Sequence, residues 1–105
     1  MNKTHFQIGD VVQVKRSDSS RPASFWLVVE IFNGAPRAFS IRPKPNYPWS
    51  LILDPATERD CGLSEEHIII PVEPITLNPD LIDKVVGRIS AELLNDSMAE
   101  YKLNR

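Results

Sequence analysis

The stretch Phe25-Trp26-Leu27-Val28-Val29-Glu30-Ile31-Phe32 constrains this chain more than any other. Its near-continuous apolar character predicts a strand buried on both faces. Asn33-Gly34 follows at once and is a hairpin signal, because glycine accepts positive φ without steric cost. Arg37 to Arg42 then reads as a third strand, antiparallel to the one before it.

The remaining elements are weaker. Phe6, Ile8, Val12 and Val14 alternate around a Gly9-Asp10 turn, which predicts a short lead-in and a strand from Val11 to Lys15. Arg16 to Ser24 is a polar loop. Pro43, Pro45 and Pro48 break regular pairing and leave an extended loop. Trp49 to Leu53 returns as a strand, and Asp54 to Cys61 is turn-like. His67-Ile68-Ile69-Ile70-Pro71-Val72 is another strand, placed at an edge or ending there because proline donates nothing to a ladder.

Asn78-Pro79 starts a predicted helix, with Asn as N-cap and Pro at the first helical position. Asp80 and Asp83 suit the helix dipole there. Leu81, Ile82, Val85, Val86 and Ile89 recur at helical spacing, with Gly87 a weak point. Either Ser90 caps a second helix carrying Leu93, Leu94 and Met98, or one helix runs through. The expected architecture is mainly β: a single domain over residues 1–105, with strands over 6–77 and a helical tail over 79–101. About five short strands with tight turns suggest a small SH3-like barrel with a C-terminal helix.

A chain of 105 residues supplies one core and little room for a deep internal site, so function is expected on a surface, a groove or a subunit interface. The single cysteine, Cys61, forms no intrachain disulfide and fits a reducing compartment. No apolar run approaches the roughly 20 residues that span a bilayer, and Met1 to Phe6 has no apolar signal core. A cytoplasmic location is expected. Residues 1–45 hold seven cations against three anions, a net of +4, while residues 46–105 hold five against eleven, a net of −6. The basic half could face a polyanion, or the signs simply segregate along a solvated surface.

Few chemical constellations stand out. His5 and His67 are the only histidines, and a zinc site would need Cys61 and carboxylates to converge on them. His67 reads as a structural or rim residue. Cys61 lacks a neighbouring His or a second Cys, which argues against a nucleophile. Glu58, Asp60, Glu65 and Glu66 read as a solvated acidic turn without calcium-loop spacing. No metal or other cofactor is expected. Arg42-Pro43-Lys44-Pro45-Asn46-Tyr47-Pro48-Trp49 sets two cations among prolines, followed by two aromatics. Arg and Lys hold phosphates while Tyr or Trp stacks a splayed base. The alternative is an ordinary barrel loop whose Trp49 packs inward.

The order of motifs resembles the MazF/PemK-type toxins of bacterial toxin–antitoxin systems. Four stretches carry the resemblance: Ile8-Gly9-Asp10-Val11-Val12-Gln13-Val14; Arg21-Pro22-Ala23 with the apolar Leu27-Val28-Val29; Tyr47-Pro48-Trp49-Ser50-Leu51-Ile52-Leu53; and Cys61-Gly62-Leu63 through Ile75-Thr76-Leu77 to Val86-Gly87-Arg88-Ile89-Ser90. Together they cover most of the chain. The resemblance implies a twisted SH3-like barrel with a C-terminal helix, usually a homodimer. It also implies metal-independent, sequence-selective cleavage of single-stranded RNA and an antitoxin-like protein partner.

In that family an Arg of the Arg-Pro motif stabilises the phosphorane charge or donates a proton, and a hydroxyl after the third strand positions the reacting groups. Here Arg21 matches the Arg-Pro pair, with Ser24, Phe25 and Trp26 interposed before the apolar strand. The hydroxyl position falls near Ile41 and Arg42, and Ser40 is the nearest hydroxyl. The resemblance therefore nominates Arg21, Ser40 and Arg42 as catalytic residues. Lys15, Arg16, Lys44, Tyr47 and Trp49 would hold the RNA. The rival expectation is a non-catalytic barrel of the same shape that binds a protein or nucleic acid through the Pro-rich basic loop.

Overall fold

A computed structural model describes residues 5–15, 23–43 and 49–103 of the chain. They form β1 (Asp10–Val14), β2 (Ser24–Phe32), β3 (Ala35–Pro43), β4 (Leu51–Leu53), β5 (His67–Thr76), a 3-10 turn (Pro79–Leu81), β6 (Ile82–Arg88) and α1 (Ala91–Leu103). The strands make one sheet in the order β4-β5-β3-β2-β1-β6, every pair antiparallel.

The apolar run becomes the middle of this sheet. Leu27 and Val29 share a core with Val11, Phe39, Ile41, Leu53 and Ile69, and Leu93, Leu94, Met98 and Tyr101 of α1 pack against that core. Val28 belongs to a second cluster with Val12, Ala38 and Leu77, against which Phe6, Trp26, Ile82 and Val85 pack. Leu27, Val28 and Val29 thus find apolar cover on both sides of the sheet, whereas Ile31 and Phe32, at the hairpin end of the run, are exposed and not buried as expected. The hairpin signal holds: Phe32 pairs with Ala35, and Asn33 and Gly34 take φ of 53° and 80°. Positive φ at both central residues twists the turn in the sense that the flanking strands require.

The helix begins later than its sequence signal. Asn78 does cap, its Oδ1 accepting from the Asp80 N–H at 2.9 Å, but only one 3-10 turn follows. Residues 82–88 are a strand, not a helix. The misleading spacing comes from two register shifts against β1. Val11, Val12, Gln13 and Val14 face Gly87, Val85, Lys84 and Ile82, so Val86 and Asp83 are extra residues. Bulges of this kind break the two-residue period. They also divide the apolar set, sending Val86 to the first core and Ile82 and Val85 to the second. Of the two helix readings, the one with Ser90 as cap describes α1: its Oγ accepts from the Leu93 N–H at 3.1 Å.

The bulges in β1–β6, β2–β3 and β3–β5 curl the sheet toward a barrel, but β4 and β6 do not pair and the barrel stays open. The segment 54–63 crosses that gap. The Asp60 carbonyl accepts from the Arg88 N–H at 2.8 Å, and Gly62 lies directly against the backbone of Val86.

Candidate functional site

β2 begins and β3 ends at the same edge of the molecule, because they are hairpin partners: Phe25 faces Ile41, and Trp26 faces Ser40. β5 begins there too, with His67 opposite Pro43. A cavity of about 420 Å³ opens at this end, lined by Ala23, Ser24, Phe25, Trp26, Ser40, Ile41, Arg42, Pro43 and His67. Strand alternation sorts its walls. Ser24, Trp26, Ser40 and Arg42 lie on one side of the sheet, and Phe25, Ile41, Pro43 and His67 on the other. The cavity therefore wraps the strand ends and offers a polar wall and an apolar one.

The polar wall is internally bonded. Arg42 Nε donates to Ser40 Oγ at 3.2 Å, since residues two apart on a strand share a face. That bond orients the guanidinium and leaves both terminal nitrogens without a partner among the described residues. Trp26 Nε1 donates to Ser24 Oγ at 3.0 Å by the same two-residue spacing, which fixes the indole plane. An oriented guanidinium suits a phosphate, as its planar fork matches two phosphate oxygens, and an indole suits a base face.

On the apolar wall, His67 meets Phe25 edge to face, ring centroids 5.9 Å apart at 87°. Its Nδ1 lies 2.8 Å from the Glu65 carbonyl oxygen.

Of the residues nominated from the sequence, the structure brings Ser40 and Arg42 together in one cavity. Arg21, Arg16, Lys44 and Tyr47 lie outside the described residues. Ala23, two positions after Arg21, and Pro43, next to Lys44, both line the cavity. Lys15 lies elsewhere, beside β6, with Nζ 3.9 Å from Asp83 and its N–H bonded to the Leu81 carbonyl. Trp49 does not pack inward: it keeps 36% of its surface exposed, and it is not part of the cavity lining.

The sequence marks Phe25 and Trp26 as strand residues and Ser24 as the end of a polar loop, and none of the three is signalled as part of a site. His67, expected as a structural or rim residue, lines the cavity. A hairpin register counted outward from Asn33-Gly34 pairs Trp26 with Ile41, and the shift between Val28 and Glu30 moves it opposite Ser40.

The acidic turn has a different use. Glu58 accepts from the Ser90 N–H and hydroxyl at 2.7 and 2.8 Å, so its carboxylate is committed to the start of α1. No model of a known protein family matches this chain, and no curated protein does.

Proposed function

We propose that this chain binds single-stranded RNA at the β2–β3 cavity and acts as a MazF/PemK-like endoribonuclease toxin or a non-cleaving relative. The observation that carries the reading is the Arg42–Ser40 pair standing beside Trp26 in one cavity. It joins a hydrogen-bond donor to phosphate, a hydroxyl and a stacking surface in one cavity. Ser40 Oγ accepts from Arg42 and keeps its own proton to donate to a phosphate oxygen or a 2′-OH. Arg21 supplies the second cation expected from the resemblance, two residues before Ala23 in the lining. Cleavage would run with the 2′-OH as internal nucleophile and arginine countering the phosphorane charge.

The test is fluorescence anisotropy with labelled single-stranded RNA, followed by a gel of the same mixtures with chelator present. Arg42→Ala should weaken binding by about tenfold or more, the usual worth of a hydrogen bond to a charged group. Equal affinity in parent and variant would remove this cavity from the account. Cleavage by the parent that Arg21→Ala abolishes assigns the toxin-like activity, and binding with no cleavage assigns the non-catalytic barrel.

We also place the chain in the cytoplasm, which its single cysteine fits, and the resemblance leads us to a homodimer with an antitoxin-like protein partner. Among the described residues no helix is long and apolar enough to cross a membrane. Light scattering at micromolar concentration should return twice the chain mass of 11.9 kDa, and a monomer mass would overturn the dimer.

A further inference from the structure

We propose that His67 reads the edge of a base held in this cavity, accepting a hydrogen bond from an exocyclic amino group and so favouring cytosine and adenine over uracil. The inference rests on the RNA-binding reading above. Two contacts fix the ring: the edge-to-face packing on Phe25 and the 2.8 Å approach of Nδ1 to the Glu65 carbonyl oxygen. A carbonyl oxygen has no proton to give, so Nδ1 carries the hydrogen and donates it. In the neutral imidazole the other nitrogen then holds a lone pair. Nε2 is therefore a hydrogen-bond acceptor, and among the described residues nothing else hydrogen-bonds the ring.

The wall around it suits a base. Phe25 and Pro43 offer flat or apolar surface to a base face, and His67 stands on the same side of the sheet by strand alternation. Arg42 lies across the strand end from this wall, where it would take the phosphate. At the exocyclic 4 or 6 position cytosine and adenine carry an amino donor, whereas uracil and guanine carry an acceptor oxygen. An acceptor on the protein pairs with the first two and opposes the lone pairs of the others.

The experiment titrates the whole chain with labelled oligo(rC) and oligo(rU) at pH about 8. These two pyrimidines share a ring size and differ at the 4-position and at N3, so the dimethylated cytidine below isolates the amino group. Oligo(rC) should bind about threefold to tenfold tighter, the net worth of one hydrogen bond. His67→Phe keeps an aromatic ring against Phe25 and lacks the acceptor, so it should bind both oligomers equally. Oligomers of N4,N4-dimethylcytidine, which has no amino hydrogen, should bind the parent as weakly as oligo(rU) does. That arm needs no altered protein and decides the matter if the variant misfolds. Equal binding of oligo(rC) and oligo(rU) by the parent would overturn the role of His67 and leave RNA binding standing. A preference that survives His67→Phe or dimethylation would overturn it as well. Binding of neither oligomer would remove the RNA reading and this inference together.

Discussion

Gly62 and Gly87 hold the place where two backbones cross with no room for a side chain. A Cβ at Gly62 would stand 2.0 Å from the Val86 carbonyl oxygen, and one at Gly87 would stand 2.3 Å from that of Asp60. Both obstacles are main chain, which cannot rotate aside. Gly87→Ala should cost about 1–3 kcal/mol in urea denaturation, the range for overpacking a tight site. Gly62→Ala should cost more, because its φ of +84° adds backbone strain to the clash. Gly34 isolates the second term. Its φ is +80° with nothing within 4 Å of an added Cβ, so Gly34→Ala should lose only the left-handed penalty of about 1–2 kcal/mol. A Gly34→Ala variant as damaged as Gly62→Ala would refute the crossing as the cause. In the sequence Gly34 is legible, because Asn precedes it and an apolar run ends beside it. Gly87 reads only as a flaw in a helix, since its reason for being glycine lies in the distant segment 60–62.

At the scale of elements, β6 and α1 show how a sequence signal can be correct locally and misassigned globally. Asn78-Pro79 does start a helical turn. What ends it is the run Ile82, Val85 and Val86, whose β-branched side chains fit a pleated surface better than a helix. β1 also needs a neighbour on its outer side, and β6 fills that place. The helix proper waits for Ser90, which accepts from the Leu93 N–H while its hydroxyl and N–H are taken by Glu58. Sequence inspection found the cap and its apolar partners, but not Glu58, because a carboxylate in a polar turn shows no sign of the helix start that it reaches. Ser90→Ala should cost about 1 kcal/mol, the usual loss of an N-cap. Glu58→Ala should cost a similar amount, and the double variant should cost less than the sum of the two, because both remove one network. Thermal unfolding followed by circular dichroism would measure all three. Full additivity would mean that Glu58 does not act through the cap. The cavity residues divide in the same way. Ser40 and Arg42 are nominated through the resemblance, and their two-residue spacing on β3 puts them on one face. Trp26 was hidden because its pairing depends on a bulge that no local pattern announces.

Among the described residues, charges from the two halves of the sequence are interleaved in space. The basic first half supplies β1 to β3, and the strand order sets these between β5 on one side and β6 on the other, both from the acidic half. Ion pairs form across that divide: Lys15 with Asp83, Arg37 with Glu73, and Asp10 with Arg88, at 3.9, 3.5 and 3.7 Å. Arg37 is further held by Glu30 at 3.1 Å. Among the described residues of the basic half, Arg42 is then the cation whose partner is a neutral hydroxyl and not a carboxylate. Within the described residues Arg42 is therefore the cation of this half best placed to meet a phosphate. This has a measurable consequence in salt. Each phosphate neutralised on a single strand lowers the slope of log affinity against log salt by about 0.7. Removing Arg42 as Arg42→Ala should make that slope shallower by about this one step. Trp26→Ala should weaken binding by loss of stacking and leave the slope unchanged, because an indole releases no counterions. Anisotropy titrations from low to moderate salt would separate the two roles. An unchanged slope in Arg42→Ala would mean that its guanidinium does not meet a phosphate, and an altered slope in Trp26→Ala would mean that the indole does more than stack.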